Sequence, residues 1–298
     1  YDPLYQSALC RQKADWLIGI NATRLFSVLY HRTLNVGRVQ TPTLAMLVDR
    51  DSKITMFRKE KYHHVRLALE GAEAVSDRIV SPEDAQAIRD ACDGQRAVCV
   101  SLVREKKTEN PPKLYDLTTL QREANRVFGY TAKQTLDYAQ SLYEKKLTTY
   151  PRTDCRYLPE EQFSDAARII TALSGVSGLE AVTAKADSAL RGPVWDTKKI
   201  TAHHAIIPTG EEPRSLTAQE KELYLMIAVQ YFLQFYPPML YEAQKILATI
   251  VETAWEARGR MIIEPGWTGF AAEEDDEDAK KKEAEQSLPS VGNNDAVL

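Results

Sequence analysis

Cysteine is scarce in this 298-residue sequence: Cys10, Cys92, Cys99 and Cys155 lie far apart, and no two have the spacing that lets neighbouring thiolates grip zinc. A reduced compartment follows as the simpler setting. Cys155 has no histidine near it in sequence, which argues against a thiol nucleophile. Long apolar runs are missing as well. No stretch approaches the roughly 18 residues that a membrane helix needs, and "YDPLYQSALC" lacks the basic-then-apolar order of a secretory signal. The sequence has no initiator methionine and reads as cut from something longer, so the missing targeting signals say little about the parent protein; nothing suggests export, and a cytoplasmic monomer with no membrane partner is the expectation.

A surplus of positive charge is also absent, since the net charge is -4. The distribution matters more than the sum. Residues 271–298 carry nine of the 42 acids and three of the 38 bases, which leaves 33 acids and 35 bases, or +2, for the rest. A local basic groove is therefore allowed, and a nucleic-acid partner is not excluded.

What is present is first of all helical patterning. "QKADWLIGINATRLFSVL" repeats apolar residues at helical spacing (Trp16, Ile20, Leu25, Val28, Leu29), and Thr41-Pro42 has the form of an N-cap followed by a first helical proline. Between about 57 and 110 the pattern alternates, as in "YHHVRLAL" and "RAVCVSLVRE", which predicts strands. Pro111-Pro112 then marks a boundary. From Asp116 one helix places Leu117, Leu120, Ala124 and Val127 on one face and stops at Gly129; a second starts at the capping box Thr131 to Gln134. Two helices joined by "GYT" resemble a helix-turn-helix unit, so a non-catalytic DNA-binding protein stays open beside an ordinary helical hairpin. "LPEEQF" starts a further helix, Leu216 to Tyr236 reads as a long buried one, and "YEAQKILATIVETAWEAR" returns to strand-like alternation. "EEDDEDAKKKEAEQ" reads as a solvated loop or hairpin insert.

Three stretches could carry chemistry. In "KKLTTYPRTDCRYLP" Tyr150 precedes Arg152 by two, so on an extended segment both side chains point to one side. A tyrosine hydroxyl, with an ordinary pKa of about 10, attacks phosphorus only where cationic groups stabilise the developing charge, and a guanidinium forks onto two phosphate oxygens. Lys145, Lys146 and Arg156 add charge nearby. Taken alone, Tyr-x-Arg is a weak signal, since tyrosines and arginines alternate in many strands. In "ITAHHAIIPT", His203 and His204 are adjacent; on an extended chain they face opposite ways and do not easily bind one ion. In "LNVGRVQTPTL", Gly37 permits close approach, Arg38 and Gln40 supply donors, and Thr41 opens a helix whose N-terminus attracts an anion.

In that order, "GRVQTPTL", "LTTYPRTDCRYLP" and "AHHAIIPT" resemble the type IA DNA topoisomerases, in detail the bacterial topoisomerase III subgroup. "DWLIGINATRLFSVL" and "PKLYDLTTLQREANRVFGYTAKQTLDYAQSLYEKKL" extend the likeness over nearly all of 10–270. The resemblance implies an α+β, multidomain core of helical DNA-binding parts with helix-turn-helix-like units, joined by an antiparallel β-rich arch. It divides the chain into a helical gate segment (1–56), a first part of the arch (57–110), a helical domain with the tyrosine (111–238) and a truncated return of the arch with an acidic insert (239–298).

The resemblance also implies roles. Tyr150 would cleave single-stranded DNA to a 5′-phosphotyrosine with a free 3′-hydroxyl, with Arg152 steadying the phosphate and His203 bonding within the cleavage site. Arg38, Gln40, Thr41, Lys145, Lys146, Arg156 and His204 would contact DNA. Strand passage and resealing would need no ATP. The family's magnesium is held by a toprim domain with a glutamate and an Asp-x-Asp-x-Asp cluster. That pattern is missing here, so no metal ligand is expected on this chain and the fragment by itself is expected to be inactive. A rolling-circle relaxase, one of the other tyrosine-using classes beside the tyrosine recombinases, needs His-hydrophobic-His, whereas "AHHAI" has its histidines adjacent.

Overall fold

Side-chain N-caps start four of the eight α-helices among the described residues. In the computed structural model, which describes residues 1–69, 72–200, 202–251, 253–270, 288 and 296–297, the chain divides into two units, 1–62 and 63–298.

The first unit holds α1 (Asp2–Leu29) and α2 (Gln40–Thr55). The opening pattern forms one helix of 28 residues. The loop after it is tied back by Val36 N donating to Thr23 Oγ1 (2.9 Å) and Leu34 N donating to Ser27 Oγ (3.0 Å). The start of α2 differs from the expectation: Val39 is the N-cap, and Thr41 lies inside the first turn, where its Oγ1 accepts from Gly37 N at 3.0 Å. Pro42 thus occupies the third helical position. It is tolerated there because that N–H has no intrahelical partner in any case.

The second unit begins with a β layer. Strands β1 (Arg66–Leu69), β2 (Ala72–Val75), β3 (Ala97–Glu109), β4 (Met239–Ile250), β5 (Thr253–Glu264) and β6 (Ala296–Val297) form one antiparallel sheet in the order β1-β2-β5-β4-β3-β6. The two halves of the alternating pattern, separated by the whole helical region, therefore lie side by side: Val98 pairs with Thr249 and Glu109 with Met239. One helix that alternation does not announce, α3 (Pro82–Cys92), follows β2. Its N-cap is Ser81, whose Oγ accepts from Asp84 N at 3.1 Å. Ala97, Cys99, Ile246, Ala248, Ile250, Trp255 and Ala257 form the buried sheet face, and Cys92 and Ile88 of α3 pack with it. Cys92 and Cys99 thus serve as small apolar core groups. The acidic run expected as a loop or insert lies outside the described residues.

Between β3 and β4 runs the helical part: α4 (Leu117–Phe128), α5 (Ala132–Glu144), α6 (Ala166–Leu173), α7 (Glu180–Thr183) and α8 (Ala218–Phe232). Capping boxes start three of them, at Asp116/Thr119, Thr131/Gln134 and Thr217/Glu220. Gly129 at φ 73° ends α4, a left-handed position that glycine takes without a Cβ penalty. "LPEEQF" forms a 3-10 turn (Glu160–Asp165) with Pro159 as its N-cap, and α6 follows. Leu120 and Ala124 of α4, Ala139 and Leu142 of α5 and Leu223, Tyr224, Ile227 and Phe232 of α8 are fully buried in one core. Each large apolar side chain so removed from water contributes about 1.5–3 kcal/mol. The architecture is the expected α+β one, helices with short turns joined to an antiparallel sheet. Among the described residues no helix is long and apolar enough to cross a membrane.

Candidate active site

The chain leaves α5 through a tight exit. Lys146 N donates to Tyr143 O (2.8 Å), Leu147 N donates to Leu142 O (2.9 Å), and Lys146 itself sits at φ 61°. A lysine in this left-handed region costs about 1 kcal/mol or more. The reversal sends Leu147, Thr148 and Thr149 alongside residues 205–209. Thr209 N donates to Leu147 O (3.1 Å), Thr149 N donates to Ile207 O (2.9 Å), and Thr148 bridges Pro208. Thr149 Oγ1 closes the pairing, donating to Ala205 O and accepting from Ile207 N, both at 3.0 Å. Replacing Thr149 by valine keeps the volume and strands both backbone groups. Thr149→Val is expected to lower stability by about 1–3 kcal/mol, measured as a fall in the urea midpoint of the 298-residue chain.

This pairing brings two of the sequence motifs together. The Tyr150 and His203 rings meet with centroids 4.8 Å apart, and Tyr143, from the last turn of α5, sets its edge on Tyr150 at 5.4 Å. Tyr150 is half-buried and His203 exposed. From Pro151 to Cys155 burial alternates: Pro151, Thr153 and Cys155 are buried, while Arg152 and Asp154 are exposed. Tyr150 and Arg152 thus share the outward side of an extended segment. Thr153 anchors it, its carbonyl accepting from Leu117 N at 3.0 Å and its Oγ1 accepting from Cys155 N at 3.0 Å. His204 Nδ1 lies 2.8 Å from Ala205 O and donates to it.

The other cationic positions are engaged differently. Lys145 Nζ donates to both carboxylate oxygens of buried Glu220 at 2.8 Å, and Ser141 Oγ donates to the same group. Burial alone would raise Glu220, but Lys145, Ser141 and the N–H of Thr217 outweigh it and hold the carboxyl at about 2. Glu220 therefore ties the end of α5 to the start of α8, directly before the segment that carries Tyr150. Arg156 donates from Nε to Leu114 O (2.8 Å) and from a terminal nitrogen to Lys113 O (3.1 Å). Lys146 is exposed, and its carbonyl accepts from Thr209 Oγ1 at 2.6 Å. Arg38, Gln40 and Thr41 belong to the other unit, where Arg38 Nε pairs with Asp15 at 2.6 Å and Gln40 is the first residue of α2. Nothing in local spacing gives Tyr143 or Thr149 a role at the site. Only Glu220 could have been singled out, as the acidic end of a capping box.

The Tyr150 ring thus meets the rings of Tyr143 and His203, and Arg152 is exposed two residues further along the same segment. The sequence profile of the DNA topoisomerase family matches residues 1–298. The chain belongs to that family. It is 36% identical over 314 residues to DNA topoisomerase 3 of Bacillus licheniformis, covering 100% of this chain and 42% of that protein. It is also 36% identical over 322 residues to DNA topoisomerase 3 of Salmonella typhimurium, covering 99% of this chain and 49% of the other. Topoisomerase I from Thermotoga maritima shares the fold, with a TM-score of 0.69 at 22% identity over 97% of this chain and 48% of that one. The likeness to type IA topoisomerases related to bacterial topoisomerase III, read first from the motifs, is thus established over the whole chain. The chain spans less than half the length of these curated relatives.

Proposed function

We propose that this chain is the tyrosine-bearing part of a type IA topoisomerase that cleaves and reseals single-stranded DNA. The observation that carries the reading is the pairing of segments 147–149 and 205–209, which sets the rings of Tyr150 and His203 in contact and leaves Arg152 exposed on the same side. The Tyr150 oxygen gives up its proton and attacks phosphorus; the bond from phosphorus to the 3′ oxygen breaks, and that oxygen leaves with a proton. One phosphodiester replaces another, so resealing reverses the step without ATP. Arg152 takes the developing charge on the phosphoryl oxygens, and His203 donates to the same phosphate. Lys146, exposed at the turn before Tyr150, attracts the strand. Lys145 and Arg156, held by Glu220 and by loop carbonyls, shape the site more than they touch DNA, and Arg38, Gln40 and Thr41 line the strand's path in the helical unit.

Among the described residues no group of three or more His, Cys, Asp or Glu side chains gathers to hold an ion. The described residues offer no such ligand set for magnesium, and we assign the ion to a toprim domain. On this reading the 298-residue chain by itself should give no steady relaxation of supercoiled plasmid. The protein acts as a cytoplasmic monomer in this reading.

The experiment is binding. The chain should bind single strands in preference to duplex of any one sequence, with affinity falling as salt rises by a log-log slope of about -0.7 for each phosphate neutralised. Tighter binding to one duplex sequence at matched salt would instead favour a helix-turn-helix reader built on α4 and α5.

A further inference from the structure

Beside the Tyr150 segment the chain builds a second cluster that the cleavage chemistry does not use. Lys113 Nζ lies 5.0 Å and Lys199 Nζ 4.7 Å from the centre of the Tyr157 ring. All three come from different stretches: Lys113 from the Pro111-Pro112 entry to the helical part, Tyr157 from the loop after Tyr150, and Lys199 from a 3-10 turn (Thr197–Lys199). Both lysines are exposed and the phenol is half-buried. Gathering two like charges on one ring is unfavourable unless an anion joins them. Asp196 meets Lys199 at 3.0 Å and offsets one charge, whereas among the described residues Lys113 has no ion pair. The net charge of the cluster stays positive.

The cluster is also held ready. Arg156 and Gln230 both donate to the Lys113 carbonyl (3.1 and 2.8 Å), and Lys199 N donates to Asp196 O at 3.1 Å. Main chain that is already fixed loses less freedom when a ligand arrives. Its distance from Tyr150 is short in structural terms. Ala205 accepts from Thr149 Oγ1 through its carbonyl and donates through its N–H to Tyr157 O (both 3.0 Å), so one segment separates the two loops. Adjacent extended segments lie roughly 5 Å apart, so the backbones of the two loops flank the Ala205 segment.

We propose that Lys113, Tyr157 and Lys199 form a second phosphodiester cradle, which grips the strand that Tyr150 addresses at a linkage beside the one to be cut. The Tyr157 hydroxyl donates to a phosphate oxygen and the two ammonium groups flank it. Lys113, more than Lys199, already holds the Tyr157 phenol below the ordinary tyrosine range, as a surplus of positive charge at the hydroxyl requires. Tyr157 is a positioning residue here. It makes no bond to phosphorus.

The proposal rests on the single-strand reading above, and the test separates the two. Binding of a fluorescein-labelled oligothymidylate to the 298-residue chain is followed over a salt series. K113A/K199A should weaken binding and make the log-log slope shallower by about 0.7, the loss of one neutralised phosphate, while K113R/K199R keeps the slope. K113M/K199M, which retains the aliphatic stems, should match the alanine pair and guards against a folding defect. Tyr157→Phe should keep the slope and weaken binding by about 2- to 10-fold, the worth of one hydrogen bond. An unchanged slope and affinity in both neutral pairs would overturn the cradle and leave the Tyr150 reading intact. A wild-type chain that binds no single strand, or prefers one duplex sequence, would overturn both.

Discussion

Tyr150→Phe in the full-length protein should abolish the covalent DNA adduct while single-strand binding stays close to wild type. The variant loses one oxygen. The ring keeps its contacts with Tyr143 and His203, and the pairing of 147–149 with 205–209 involves none of the phenol. On the proposed mechanism, the change is therefore chemical and not structural. Arg152→Ala acts on the same step by another route. It leaves the nucleophile and removes the exposed guanidinium, so cleavage should fall by about 10²-fold or more, the usual consequence of deleting one stabiliser of transition-state charge. Gel-based trapping of the adduct on a labelled single strand, with filter binding in parallel, measures both. Wild-type adduct yield from the phenylalanine variant would take Tyr150 out of the mechanism.

Glu220→Gln should be the most damaging change outside the reacting groups. The carboxylate is buried and accepts from Lys145, Ser141 and Thr217, so the amide leaves Lys145 without its counter-charge. Breaking such a pair costs about 3 kcal/mol, near the lower end of the range for buried ion pairs because Lys145 is partly solvated. The pH dependence gives a second check. The folded carboxyl, at about 2, lies below its ordinary 4.5. The contribution is then fully present above about pH 4.5 and disappears as the pH falls towards 2. Urea midpoints of wild type and variant should differ most near pH 7 and converge in acid. A constant gap across that window would assign the loss to packing instead of charge.

Much of the helical part was legible because its signals are local. The capping boxes at Thr131/Gln134 and the glycine stop at Gly129 act within one turn, and the structure holds both. α3 was missed although Ser81, Pro82, Glu83 and Asp84 are all helix-starting residues, since the alternating patterns on either side invited a single strand-rich reading. The hairpin between β4 and β5 had no turn signal. Its tip holds Val251 at φ 51°, where Asn-Gly or Asp-Gly would have announced the reversal.

The site was legible only in part. The two-residue spacing of Tyr150 and Arg152 says that they share a side, and the burial alternation through Cys155 agrees. Nothing in local pattern places His203 against Tyr150. That contact depends on Thr149 reaching Ala205, 56 residues away, and on Glu220 holding Lys145, 75 residues away. Long-range pairings of this kind carry no periodicity, and the motif likeness to a known family was what brought the two stretches together. Lys113 and Lys199 likewise meet at Tyr157 only in the folded chain.

The most direct test of the central claim is to trap the covalent complex of the full-length protein with a labelled single strand, digest both components and locate the remaining nucleotide by mass spectrometry. The account predicts a nucleotide joined through its 5′-phosphate to Tyr150, on the peptide that contains "LTTYPR". A nucleotide on Tyr143 or Tyr157, or a 3′-phosphate link to any tyrosine, would contradict it.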